Sequence, residues 1–235
     1  LYNESKDYSS HLLSNVDKTV NNLFCFYPFP LKKVVFLVLE MKTMTGEEII
    51  ANLSALVEDY SNVVEKKLKH LSEEQLNWKA TSDAWSLNEV FAHLNEYAQF
   101  YHEAFQKKIQ ITKFRTPTDS FVSSPLGRAA WRSMKLGNAK NVKRKFRAVS
   151  AYNPSVSPKL VKGNDWKIFL DKQIELRQIL KDAKRINIRK AKAPISLSKI
   201  IKFRMGDAFY FVIYHNERHV QQALNTISHP KFPKK

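Results

Sequence analysis

The feature that most constrains this chain is a stripe of apolar residues at helical spacing. Ile50, Leu53, Val57, Tyr60, Val64 and Leu68 recur three and four positions apart, and Leu56 and Val63 widen the stripe. That period belongs to an α-helix burying one face, and it excludes a strand, whose side chains alternate every second residue. Thr45 stands where an N-cap is expected. Glu47 and Glu48 suit the positive end of the helix macrodipole. Ser72-Glu73-Glu74-Gln75 starts a short further turn, and Trp78 to Asp83 reads as a polar connector.

A second helix opens at Ser86, which with Glu89 forms an S-x-x-E capping box. It runs to about Lys108. At about 100° per residue, Val90, His93, Leu94, Tyr97, Phe100, Tyr101 and Ala104 share one face. His93 therefore sits inside an apolar stripe, and His102 points to the opposite side, toward solvent. Residues 110–160 are irregular, punctuated by Pro117, Pro125, Pro154 and Pro158. Ser124-Pro125 suits the start of a short basic helix, Leu126 to Met134. So long a connection between helices predicts a crossover joining two that run the same way.

A third helix spans about Asp165 to Ala183, with Trp166, Phe169, Leu170, Gln173, Leu176 and Leu180 in period. Residues 184–204 form a basic connector with a small amphipathic turn, Leu197 to Ile201. Gly206-Asp207 caps a fourth helix, whose inward face reads Ala208, Phe211, Val212, His215, His219, Gln222, Ala223 and Thr226. The five glycines in 235 residues agree with an all-α chain. The single cysteine, Cys25, excludes an intrachain disulfide and any multi-cysteine metal framework. A cytoplasmic location is the corresponding expectation.

Residues 1–40 read differently. Asn21 to Pro30 carries aromatics and two prolines without period, and the apolar run Val34 to Leu39 is far short of the roughly 20 residues that span a bilayer. Residues 1–40 are expected to be a non-native or disordered extension, with residues 41–235 as the domain. No membrane partner is expected.

The net charge of +17 is uneven. Residues 41–103 carry five basic and eleven acidic groups, whereas residues 104–235 carry thirty and seven. Arg128 to Arg147 and Lys184 to Arg204 each hold eight Lys or Arg and no acid. Such a surface suits nucleic acid, an anionic membrane or an acidic metabolite, but the favoured reading is a solvated face or pairing with the acidic first half. No nucleic-acid motif accompanies it, so nucleic acid is not the favoured partner.

His215 and His219, four residues apart, project from one helix face, the spacing a single transition-metal ion can bridge. Each is either a ligand or a hydrogen-bonded core histidine, and so is His93. A site of three neutral imidazoles binds Zn²⁺, Ni²⁺, Fe²⁺ or Co²⁺ and keeps a position for water or substrate. This is not the zinc-protease H-E-x-x-H motif, because Asn216 follows His215 and Glu217 projects about 200° away. Glu96, about 60° from His93, is either a carboxylate that supports the site or shuttles a proton or, the favoured reading, a boundary residue facing water. Gln222 and Tyr97 lie close to the histidines in projection and either hydrogen-bond there or pack.

Together these residues resemble the DinB-like (YfiT-type) four-helix-bundle family. Trp85-Ser86-Leu87-Asn88-Glu89-Val90-Phe91-Ala92-His93-Leu94 is similar to its W-S-x-x-x-V-x-x-H-L signature. Ser124-Pro125-Leu126-Gly127 is similar to a loop in one branch, and His215-Asn216-Glu217-Arg218-His219-Val220-Gln221-Gln222 to its closing H-x-x-x-H helix. The resemblance covers about residues 45–228. It implies a long crossover between the second and third helices, a divalent metal (often zinc or nickel) on His93, His215 and His219, and frequently a homodimer. Family activities include transferases and isomerases using low-molecular-weight thiols, and hydrolases. The expectation is a metal-dependent hydrolase or thiol S-transferase acting on a small electrophile, with Tyr97, Tyr101 and Phe211 lining the pocket. The alternatives are a non-enzymatic basic binding module and a stress-linked metal-binding protein.

Overall fold

The computed structural model describes residues 43–137, 148–196 and 198–234. The expectation for residues 1–40 lies outside them.

Four long helices form an antiparallel-and-parallel bundle: α1 (Gly46–Leu68), α3 (Leu87–Ile111), α5 (Asp165–Ala183) and α6 (Met205–Ile227). The short α2 (Glu73–Asn77) links the first two, and α4 (Pro125–Met134) lies in the crossover. Capping boxes at Thr45/Glu48, Ser72/Gln75 and Ser86/Glu89 satisfy the leading N–H groups of α1, α2 and α3.

Side-chain contacts fix the directions. Asn95 donates to the Asp165 carbonyl and, two to three turns on, Gln106 donates to Glu175, so α3 and α5 run in parallel. Lys184 pairs with Glu47 and Arg177 with Glu58, so α1 and α5 are antiparallel. His93 meets His219 and Phe105 meets Phe209, so α3 and α6 are antiparallel. The long connection therefore joins two parallel neighbours, as expected of a crossover.

Each bundle helix packs against two others. Val57, Leu68, Phe91, Phe105, Phe169, Leu176 and Phe209 fill the space between them. One polar network crosses this core. Tyr60 Oη donates to Gln173 Oε1 at 2.7 Å, and Asn216 Nδ2 donates to Gln173 Oε1 at 3.1 Å and to Tyr60 Oη at 3.3 Å. It ties α1, α5 and α6 at the level of the paired histidines, and burial raises the Tyr60 hydroxyl far above its ordinary pKa.

Three expectations are corrected. His102 is only 2% exposed, because α3 is sandwiched between α5 and α6 and so buries opposite faces. Its Nδ1 lies 3.1 Å from Glu175 Oε2. Burial lowers its pKa although Glu175 pulls it upward.

The basic connector is not a helical turn. Lys192–Ile195 (β1) and Ser198–Arg204 (β2) form an antiparallel hairpin, with a bulge between Pro194 and Ile195. Ala193 and Phe203, opposite one another, face the core, and the β-branched Ile200-Ile201 pair suits extended backbone.

Finally, α6 starts at Met205, and Arg204 occupies the N-cap position without a side-chain cap. The Asp207 carboxylate turns instead to the crossover, where Oδ2 accepts from Ser124 N and Ser124 Oγ, both at 2.9 Å. Gly127 packs so closely there that a Cβ would lie 2.3 Å from Asp207 Oδ2. Trp131 of α4 then stacks along α6, its ring 5.2 Å from that of Tyr210 and 5.9 Å from that of Tyr214. No helix among the described residues is long and apolar enough to cross a membrane.

Candidate metal centre

The antiparallel pairing of α3 with α6 brings His93 against His215 and His219. One nitrogen from each of the three lies within 4.8 Å of the other two. Among the described residues this is the one such group of potential metal ligands. His93 and His215 are 2% and 6% exposed, and His219 is half-buried on the open side.

Two hydrogen bonds set the ring tautomers. His93 Nδ1 lies 2.6 Å from the carbonyl oxygen of Tyr152, which can only accept, so the proton sits on Nδ1 and Nε2 carries the lone pair. His219 Nδ1 lies 2.9 Å from Gln222 Oε1, one turn on, with the same consequence. An imidazole that donates its Nδ1–H to a carbonyl oxygen is held in one orientation with its Nε2 lone pair free, the form in which histidines bind metal ions.

His93 Nε2 and His215 Nε2 are 3.4 Å apart. In a tetrahedron with metal–nitrogen bonds of about 2.0–2.1 Å, ligand atoms stand about 3.4 Å from one another. His215 Nδ1 is buried without a hydrogen-bond partner among the described residues. Among the described residues nothing outside the trio holds His215 by its ring nitrogens.

The electrostatics favour neutral rings. Burial lowers the His93 pKa to about 4, with the Tyr152 carbonyl opposing, and lowers that of His219 to about 3, helped by His93. Burial first, then His219 and His93, takes His215 well below its ordinary value. At neutral pH all three are lone-pair donors, the form a divalent ion needs. Among the described residues no Asp or Glu joins the cluster.

The walls are aromatic. The Trp85 ring lies 4.9 Å from that of His93 and 6.1 Å, nearly parallel, from that of His219. The Tyr97 ring lies 4.8 Å from His93 and 4.6 Å from His215. Phe211 stacks on His215 at 6.1 Å. Tyr97 thus packs, whereas Gln222 hydrogen-bonds. Burial raises the Tyr97 pKa to about 12, so its hydroxyl stays protonated. Tyr101 lies one turn further from the histidines, and its hydroxyl meets Ser196 N at 3.2 Å at the hairpin turn.

Glu96 is half-buried beside the Tyr152 hydroxyl, whose pKa it helps burial to raise. Glu217 is half-buried on the Tyr214 side of α6. The contribution of Tyr152 was not legible in the sequence. It acts through its backbone carbonyl, and every residue has one. Trp85, held by its indole N–H donating to Ser155 Oγ at 2.9 Å, stands in the W-S motif but carries no metal-ligand signal by itself.

No curated protein and no solved structure matches the chain. The family model for the DinB superfamily matches residues 55–223, well over half of the chain and a span that includes all three histidines. With the all-α bundle and its crossover, this match shows that the chain belongs to the DinB superfamily.

Proposed function

We infer that the chain is a metal-dependent enzyme in which His93, His215 and His219 together hold one divalent transition ion, zinc or nickel. The observation that carries this reading is the 3.4 Å approach of two Nε2 atoms, one of them, that of His93, unprotonated because the ring's Nδ1–H donates to the Tyr152 carbonyl. Two buried lone pairs facing each other repel unless a proton or a cation lies between them. A cation also serves His219, which a proton shared by His93 and His215 does not. When bound, the ion would supply a Lewis acid that lowers the pKa of a coordinated water to about 7 or holds a thiolate.

The chain's own groups then have separate tasks. The Tyr152 carbonyl and Gln222 orient two of the imidazoles. Trp85, Tyr97 and Phe211 exclude water from the ring faces and offer apolar surface to a substrate. Among the described residues the metal-ligand cluster is three histidines without a carboxylate, so the chemistry these residues would draw on is that of a divalent ion held by His93, His215 and His219. This suits a small, largely uncharged electrophile, attacked by water in a hydrolase or by a low-molecular-weight thiol in an S-transferase.

The test is turnover. Metal-loaded and chelator-stripped protein are assayed against ester, amide and epoxide panels, with and without low-molecular-weight thiols. The reading expects turnover that needs the ion and is lost in His215→Ala. Equal turnover by stripped protein, or none by loaded protein across all panels, contradicts it.

A further inference from the structure

The basic hairpin takes no part in the histidine site, and its outer face has a composition that the fold itself does not require. Within the regular part of the ladder, Lys202 and Arg204 lie on one face of β2 and Phe203 on the other. The register shift between Pro194 and Ile195 leaves Ile200 and Ile201 without ladder partners among the described residues at the hairpin end, both exposed. Across the ladder Lys192 stands opposite Arg204, and Pro194 opposite Lys202, so Lys192 joins the same outward face. Ala193 and Phe203 are buried beneath.

Like charges placed directly opposite one another destabilise a strand pair. Nothing local relieves Lys192 and Arg204, since the chain has no Asp or Glu between Asp182 and Asp207. Neighbouring cations are paired, Lys184 with Glu47 and Arg185 with Asp182. Lys192, Lys202 and Arg204 make no ion pair among the described residues. The Arg204 guanidinium donates to the backbone carbonyl of Val122.

Among these cations stand large aliphatic side chains in water. Ile200 is 90% exposed and Ile201 42%. Val122, held against Arg204, is 43% exposed, and Leu126, at the start of the helix beside β2, is 57% exposed. Two isoleucines at a hairpin end, in a chain with ample core to receive them, imply an apolar partner. Unpaired lysines and an arginine beside them imply an anionic one.

We propose that this hairpin face is a peripheral docking surface for an anionic lipid bilayer. Ile200 and Ile201 enter the headgroup–acyl boundary, and Lys192, Lys202 and Arg204 meet lipid phosphates and carboxylates. The combination of cations with aliphatic side chains is the one that binds such an interface. A second copy of the chain does not fit, because a symmetric contact would bring the same unpaired cations together. A single-stranded nucleic acid fits less well. It takes cations with exposed aromatic rings on which bases stack, and the one ring on this part of the hairpin, Phe203, is buried.

The test is co-sedimentation of the full chain with vesicles of phosphatidylcholine alone and of phosphatidylcholine mixed with phosphatidylserine, at low and raised salt. The proposal expects binding to the mixed vesicles, weakened by salt, and none to phosphatidylcholine. In Lys192→Ala/Lys202→Ala the partition coefficient should fall about fivefold for each lysine removed. In Ile200→Ser it should fall about 60-fold if the side chain is fully inserted, three carbons being lost at about fourfold each. Both changes lie on exposed positions, and unchanged far-UV circular dichroism verifies the fold. Absence of binding to the mixed vesicles overturns the proposal, as does binding that neither variant weakens. So does tighter binding to a single-stranded oligonucleotide that Ile200→Ser leaves unaltered, which would assign the face to a polynucleotide.

Discussion

The Nδ1 atom of His93 lies 2.6 Å from the carbonyl oxygen of Tyr152, a residue 59 positions away in the crossover. The contact makes the crossover a structural part of the histidine cluster. Together with the 2.9 Å contact between His219 and Gln222, it fixes which nitrogen of each ring is free.

The Gln222 contact can be removed without disturbing the bundle, because Gln222 sits at the open side of α6. Gln222→Leu should lower divalent-metal affinity by about 10- to 100-fold, the usual effect of deleting the group that hydrogen-bonds and orients a metal-binding imidazole. The thermal midpoint of the metal-free protein should stay close to wild type. Competition with a chromogenic chelator measures the first, and calorimetry the second.

Neutral buried histidines make the metal-free fold sensitive to acid. The pKa values of His93 and His219 fall from about 6.5 when unfolded to about 4 and about 3 when folded. Between those limits the unfolded chain binds more protons, so stability is fully present above about pH 6.5 and is lost as pH falls toward 4 and then 3. The stability at stake is on the order of 3 kcal/mol for His93 alone. Urea midpoints of metal-free protein should drop between pH 7.5 and pH 5. In His93→Phe/His219→Phe the midpoint should depend less on pH, the remaining dependence coming from His215, which burial also keeps neutral.

Asn216 occupies the position that a zinc-protease helix gives to glutamate, and here it serves the core. Asn216→Ala removes both donors that reach Tyr60 and Gln173 and leaves their buried oxygens with fewer partners. A loss of about 1–3 kcal/mol is expected by denaturant unfolding. Metal binding, measured in the folded variant, should persist.

The crossover is latched to α6 where Gly127 meets Asp207. A Cβ on residue 127 would fall 2.3 Å from Asp207 Oδ2 and 2.4 Å from Cγ, and that carboxylate is held by Ser124. Gly127→Ala must therefore push α4 away from the start of α6. A cost of about 1–3 kcal/mol is expected, typical of overpacking, and thermal unfolding reads it out.

Much of this architecture was legible locally. The stripes of α1, α3, α5 and α6, and the capping boxes at Thr45, Ser72 and Ser86, depend on residues a few positions apart, where spacing determines geometry. The shared face of His215 and His219 follows for the same reason. Their meeting with His93 depends on how two distant helices register, which no local period encodes, and it was expected through motif resemblance.

His102 shows the limit of helical projection. An angle says which residues share a face but not how many faces have neighbours, and α3 has them on both sides. The hairpin was hidden because Lys-Ile-Ile-Lys-Phe-Arg satisfies a helical turn as readily as a strand. The Ala193–Phe203 pairing against the core decides between them. The Tyr152 carbonyl left no trace because backbone atoms have no sequence signature.

The central claim is that three histidines from two helices form one metal site. Its most direct test is metal stoichiometry by inductively coupled plasma mass spectrometry, after incubation with zinc or nickel and exhaustive dialysis. It is applied to wild type and to His93→Ala, His215→Ala and His219→Ala. The account predicts one equivalent of divalent ion per chain in wild type and its loss in each variant, with helical content retained. No stoichiometric metal in wild type, or full retention in both His93→Ala and His215→Ala, would contradict it.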